Sequence, residues 1–282
     1  MPIIAYYVHD IDPVIFHIWG DFGLRYYGLA YALGFIFAIY IMRRLHKKGK
    51  LSLTPDQQST ALFVLILGVL IGGRFGHMLL YDLDSFLSNP LTFFEIWHGG
   101  MASHGGFLGV IVACWWISKR YKIKFLYLAD VLSAMTPAGL MLGRIANFIN
   151  GELWGKPTDV SWAVIFPQSA PHGTPISMIS PRHPSQLYEA ALEGLLLLLF
   201  TQWRLWRTNA LQTPGRLCGE FFILYAIMRI IGEQFREPDG PLILGMNPGA
   251  FYSIFIALIG IIVIVASVKT LKTQRSATGN KS

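Results

Sequence analysis

Long apolar runs, interrupted by short clusters of Lys and Arg, set the architecture of this chain before any single residue does. Seven runs stand out, roughly Ile18 to Met42, Ala61 to Tyr81, Gly105 to Ile117, Phe125 to Ile149, Gln186 to Trp203, Leu217 to Phe235 and Gly249 to Val268. At 1.5 Å per residue, a helix needs about 20 apolar residues to cross a hydrocarbon core of about 30 Å, and most of the runs reach that length. The third is short. Gly99, Gly100, Gly105 and Gly106 around its start predict a broken helix end lining a protein interior, the one place where irregular backbone is tolerated at membrane depth. The pattern predicts an all-α integral membrane protein of about seven transmembrane helices, forming a single polytopic domain over residues 1–282.

The basic residues give that bundle a direction. Clusters such as Arg43 to Lys50 and Lys119 to Lys124 recur after every second run, whereas the opposite loops carry only Lys156, Arg182 and Arg236. Basic residues near segment ends stay inside, so the N-terminus is expected outside and the C-terminus inside. The same loops account for the net charge of +7 without a nucleic-acid partner, since they face an anionic leaflet and form no basic groove with stacking aromatics. Asp10 and Asp12, with no positive stretch ahead of the first run, argue for a retained span and against a cleaved signal peptide.

Between the fourth and fifth runs, residues 151–185 are rich in Pro, Ser, Gly and His, with Ser161 to Phe166 reading as a strand. The segment is too small for a core of its own and is expected to cap the outer mouth of the bundle. Residues 273–282 read as a disordered tail. Cys114 and Cys218 fall in apolar runs far from the oxidising exterior, which predicts two packing thiols and no disulfide.

Polar residues inside the apolar runs crowd toward the outer side. Arg144 lies near the outer end of the fourth run, with Asn147 one turn further on the same face. In the sixth, Tyr225, Arg229, Glu233 and Arg236 form one helical stripe. An Arg229–Glu233 ion pair of purely structural value is one reading of that stripe. The other starts from cost: an arginine near the centre of a spanning helix is unfavourable by about 2.5–3.5 kcal/mol. With one acid nearby in the same helix, the arginines are expected to carry spare positive charge for an anion, and guanidinium groups clamp phosphate bidentately. Arg74 either joins such a site or snorkels to the interface, and Arg25 reads as a snorkelling anchor. His104 is by default a hydrogen-bonded interface residue; its flanking glycines and an imidazole that titrates near neutrality make it a candidate general base. His77, His98, His104, His172 and His183 lack the paired spacing of a zinc site, and no metal or cofactor is expected.

The run Gly143-Arg144-x-x-Asn147-Phe148-x-Asn150-x-Glu152-x-x-Gly155 resembles the signature of the bacterial prolipoprotein diacylglyceryl transferases. The resemblance extends to Tyr27-Gly28, Gly72-Gly73-Arg74, His98 to Gly106, Arg182 to Glu189 and Tyr225 to Asp239. Where members often carry Trp before the Tyr-Gly pair, this chain has Tyr26. The resemblance implies a seven-helix enzyme of the bacterial inner membrane with a small periplasmic head and an active site toward the periplasm. Its implied partners are phosphatidylglycerol, as the diacylglyceryl donor, and prolipoprotein signal peptides, whose lipobox cysteine becomes a thioether as glycerol phosphate leaves. It also implies catalytic roles for His104, Arg144 and Arg229, and substrate-binding roles for Tyr27, Arg74, Asn147, Glu152, Gly155, Tyr225, Glu233 and Arg236. A lipid transporter is the rival reading, because intramembrane arginines also mark anion pathways; a structural scaffold is the third.

Overall fold

The computed structural model describes residues 6–19, 22–95, 100–238 and 240–279. It is mainly helical, and its contacts divide it into two compact units, Met1–Ala38 with Asp130–Ser282, and Ile39–Ala129.

Among the described residues, three helices are long and apolar enough to cross a bilayer: α1 (Tyr26–Lys47), α2 (Pro55–Tyr81) and α10 (Pro248–Gly279), the last through Pro248–Lys269. A fourth span is added if α5 (Phe125–Ser133) and α6 (Thr136–Ile149), bent by 41° at Ala134-Met135, count as one. Pro137 sits in the first turn of α6 and has no N–H to offer the turn before it, which accounts for the break. The expected third, fifth and sixth spans are also helical. After the short α3 (Leu83–Ser88), they fold as α4 (Ser103–Tyr121), as α7 (Ser185–Glu189) running through a π-helical turn over Ala190–Leu196 into α8 (Leu197–Arg207), and as α9 (Arg216–Gly232).

Three expectations need correction. The fold is not purely α, because β1 (Tyr7–Val8) pairs in parallel with β4 (Val164–Ile165), and β2 (Val14–Trp19) pairs antiparallel with β3 (Phe22–Arg25). Residues 18–19 and 22–25 therefore lie in paired strands and do not begin the first helix; the alternation Val14-Ile15-Phe16-His17-Ile18-Trp19 suits a strand, and Arg25 is the last residue of β3, opposite Val14. Finally, α10 runs on to Gly279 through residues expected to be disordered, where Lys, Gln, Arg and Ala are good helix formers.

In the Ile39–Ala129 unit, α2 opens with a capping box. Thr54 accepts from the Gln57 backbone N–H at 3.4 Å, and the Gln57 side chain accepts from the Thr54 N–H at 3.0 Å, with Pro55 in the first turn. Further along, Gly68, Gly72 and Gly76 form one face against Gly105 and Gly109 of α4. A Cβ built on Gly72 falls 2.3 Å from the Gly105 carbonyl oxygen, and one on Gly109 falls 1.8 Å from that of Gly68. Only hydrogens separate the two backbones, the small-xxx-small contact that replaces the hydrophobic effect between helices in lipid.

In the other unit, α9 and α10 meet the same way at Gly219 and Gly260, and α5 ties to α9 through a buried acid. Asp130 accepts from the Gly215 and Cys218 backbone N–H groups, each at 2.7 Å, satisfying donors at the start of α9 that no turn of its own can serve. Asp130→Ala is expected to lower stability by about 3 kcal/mol, because two buried amides lose a charged acceptor. Thermal unfolding in detergent measures this; an unshifted midpoint would contradict the capping role. Residues 151–185 gather around the wholly buried Phe166, which packs on His9, Phe148 and Trp154 with ring centroids 5.4, 6.1 and 6.3 Å away.

Candidate active site

The end of α6 folds back on itself for reasons written in its sequence. Gly151 takes a positive φ of 65°, which glycine adopts without steric cost. Its N–H then reaches the Phe148 carbonyl at 2.9 Å, and the Glu152 N–H reaches that of Asn147 at 3.2 Å, which is a Schellman motif. This reversal sets the Glu152 carboxylate beside the Asn147 amide, whose Nδ2 donates to Glu152 Oε1 at 2.9 Å. Tyr27, at the start of α1, completes the group: its hydroxyl donates to the same Oε1 at 2.6 Å and accepts from Asn147 Nδ2. Tyr27 and Asn147, far apart in sequence, thus share one oxygen of the Glu152 carboxylate.

One turn before Asn147, Arg144 meets two acids from the α7 run. Its Nη1 lies 2.9 Å from Glu189 Oε2 and its Nη2 lies 3.2 Å from Glu193 Oε2. Arg229 on α9 approaches the same pair from the other side, with Nη1 at 3.2 Å from Glu189 Oε1 and 3.1 Å from Glu193 Oε1. Its Nη2 lies 2.6 Å from Glu233, one turn further along. Arg236 Nη1 donates to both oxygens of Glu189, at 3.0 and 3.2 Å. Glu189 and Glu193 are wholly buried, whereas Arg144 and Arg229 keep 17% and 13% of their side-chain surface. The arginines are therefore the members of the cluster that a ligand can touch.

This arrangement overturns the expectation of spare positive charge. Arg144, Arg229 and Arg236 face Glu189, Glu193 and Glu233, so the cluster balances as built. Carboxylates from a second helix supply what α9 alone lacks, and they lower the cost of holding guanidinium groups out of water.

Neighbouring backbone presses close. Asn247 donates to the Glu233 carboxylate at 2.9 Å and to its carbonyl at 3.0 Å. A Cβ on Gly249 would fall 2.1 Å from Glu233 Oε1 and 3.0 Å from Arg229 Nη2, so a larger residue there would displace the Glu233 carboxylate. Gly155 pairs with Arg236 in an antiparallel bridge, and its missing Cβ makes room for the Phe235 and His183 carbonyl oxygens at 2.5 and 2.6 Å. The His183 imidazole, packed on Tyr188 and Phe235, is held below its usual range by burial and then by the Lys156 charge. Tyr225 stacks on Phe221, one turn before Arg229.

The structure thus brings Tyr27, Arg144, Asn147, Glu152, Gly155, Tyr225, Arg229, Glu233 and Arg236 together in one unit. Arg74 and His104 belong to the Ile39–Ala129 unit. There Arg74 is buried and donates to the carbonyl oxygens of Thr92, Phe93, Glu95 and Gly100, at 2.6 to 3.2 Å, holding the loop that leads to α4. His104 is exposed in the first turn of α4, at the wall of an apolar cavity of about 660 Å³ lined by Gly72, Phe75, Gly76 and Leu108. His98 lies outside the described residues.

Sequence reading gave no role to Glu189, Glu193, Asn247 or Gly249. Two glutamates four residues apart in an apolar run were a usable signal, since an ionisable residue there demands a partner.

A family profile described as prolipoprotein diacylglyceryl transferase matches residues 13–266. A protein of Idiomarina loihiensis is 43% identical over 266 residues, covering 93% of this chain and 96% of its own. One from Pseudoalteromonas atlantica is 43% identical over 281 residues (97% and 95%), and one from Vibrio cholerae is 42% identical over 263 residues (92% and 93%). Each of the three is named phosphatidylglycerol–prolipoprotein diacylglyceryl transferase.

Proposed function

The chain belongs to the prolipoprotein diacylglyceryl transferase family, and on that premise we propose that Arg144 and Arg229 seat the headgroup phosphate of phosphatidylglycerol. The enzyme moves the diacylglyceryl group of phosphatidylglycerol to a cysteine thiol of a prolipoprotein, the first step of lipoprotein maturation. A carbon–sulfur bond forms at the glyceryl carbon while the carbon–oxygen bond to phosphate breaks. The bonding electrons leave with glycerol phosphate, and the thiol proton passes to a base.

The observation that carries the reading is a pair of partly exposed guanidiniums oriented by buried acids. The two described ion pairs of Arg144 use two of its five N–H donors, so a phosphodiester meets groups already aimed. Donors fixed before the reaction favour the charge that grows on the leaving oxygen without reorganising. Tyr27, Asn147 and Glu152 then orient the glyceryl portion, and Gly155 with Arg236 closes the wall beside it. Tyr225 and Glu233 keep Arg229 in place. Arg74 serves the reaction through the loop it holds.

His104 is assigned the thiol proton on the family resemblance alone. A free thiol titrates near ~8.5 and reacts as thiolate, so a base that takes its proton raises the reactive fraction. His104→Gln is expected to lower kcat by about 10²-fold with both substrates saturating. Near-normal turnover would remove the base role and leave lowering of the thiol pKa to the arginines.

The same reading has about seven spans in the bacterial inner membrane, residues 151–185 as a periplasmic head and the lipobox cysteine approaching from the periplasmic side. Its test is purified enzyme in phosphatidylglycerol liposomes with a lipobox peptide, followed by mass spectrometry. A thioether-linked diacylglyceryl peptide is the expected product; lipid movement without a covalent product would favour a transporter.

A further inference from the structure

One carboxylate touches all three guanidiniums of the cluster. Glu189 Oε2 lies 2.9 Å from Arg144, and Oε1 lies 3.2 Å from Arg229 and 3.0 Å from Arg236. Glu193 reaches two of the three arginines and Glu233 reaches one. The arginines come from α6, from α9 and from the residues after α9, so among the described ion pairs Glu189 is the side chain that joins all three. We propose that Glu189 is a positioning residue for the transfer reaction: it fixes the gap and tilt between Arg144 and Arg229, and thereby the width of the phosphate seat.

Two observations carry this beyond neutralisation of charge. The two oxygens divide the work, with Oε2 holding Arg144 and Oε1 holding Arg229, so the width of one carboxylate bridges the two guanidiniums. In addition, the helix leaves α geometry at the next residue, Ala190, and continues as a π-helical turn. Such turns are rare and occur frequently at functional sites. Here the turn carries Glu193, four residues on, to the same two arginines. A plain counter-ion for Arg236 needs neither feature.

The proposal rests on Arg144 and Arg229 being the phosphate seat, and the experiment separates the two ideas. Full-length Glu189→Asp keeps the charge and withdraws it by one methylene. With the lipobox peptide and phosphatidylglycerol in liposomes, and glycerol phosphate as competitive probe of the seat, kcat is expected to fall by about 10²-fold. The inhibition constant of glycerol phosphate is expected to weaken by about tenfold or more, a tenth of the rate effect because the ground state demands less exact alignment. The KM for the peptide and the melting temperature stay as in the wild type. Wild-type kcat and inhibition by glycerol phosphate would overturn the proposal. Should Glu189→Asp not fold, the pair E189Q with R236Q removes one charge of each sign. It is expected to fold and remain inactive, because Arg144 and Arg229 are then bridged by Glu193 without Glu189. Recovered turnover, or failure of both proteins to fold, would make Glu189 a structural acid and overturn the assignment. If instead Arg144→Lys and Arg229→Lys are fully active, the seat itself is misassigned.

Discussion

Arg144→Lys and Arg229→Lys each lower the rate of thioether formation by about 10²–10³-fold, the loss expected when one preorganised donor to a developing oxyanion is removed. Lysine keeps the charge, so the loss isolates geometry. Arg229 holds Glu189 and Glu193 through Nη1 while Nη2 holds Glu233, and a single ammonium has no second arm for that task. Arg144 divides its two Nη atoms between Glu189 and Glu193 in the same way. Because these acids are buried, a displaced cation leaves a carboxylate short of partners, at about 3–5 kcal/mol when a pair is broken outright. Melting temperatures measured beside the rates separate a lost seat from a lost fold. Turnover above a tenth of wild type in both folded variants would contradict the phosphate clamp.

Gly109→Val is expected to prevent the Ile39–Ala129 unit from packing. Added atoms would start 1.8 Å from the Gly68 carbonyl oxygen and 3.2 Å from the Gly72 Cα, both backbone, so no side-chain rotation relieves the clash. Helices α2 and α4 must separate, and in lipid little besides close packing draws them back. A penalty above about 4 kcal/mol places this among the largest single-residue effects. Detergent-solubilised Gly109→Val is expected to aggregate or to unfold well below the wild type, whereas Gly139→Ala, with nothing within 4 Å of its Cβ, keeps the wild-type midpoint. A Gly109→Val protein that melts normally would show that the α2–α4 contact is not tight.

The comparison with the sequence divides along a physical line. Helical runs, the strand near Val164 and the cluster around Arg144 were legible because periodicity, turn residues and an arginine in an apolar run act locally. Pairing across helices was not. Glu189 and Glu193 lie 45 and more residues from Arg144, and nothing in their own segment says which helix they face. The charge of the site was misjudged for that reason, since Arg229 was weighed against the acid on its own helix alone. The β2–β3 hairpin was lost to the opposite error: a strand of alternating apolar residues that abuts a spanning helix reads as the first turns of that helix. Gly68, Gly72 and Gly76 show a four-residue spacing that points to a helix contact, but only the paired Gly105 and Gly109 reveal with which helix.

The arginine pair is proposed to receive the departing phosphate. Phosphorus-31 NMR of phosphatidylglycerol liposomes turning over with a lipobox peptide follows that group directly. With the wild-type enzyme, the phosphodiester signal is expected to give way to the monoester of glycerol phosphate, one for each peptide modified, and to persist with Arg144→Lys or Arg229→Lys. Monoester appearing at the wild-type rate in both lysine variants, or phosphorus retained on the modified peptide, would contradict it.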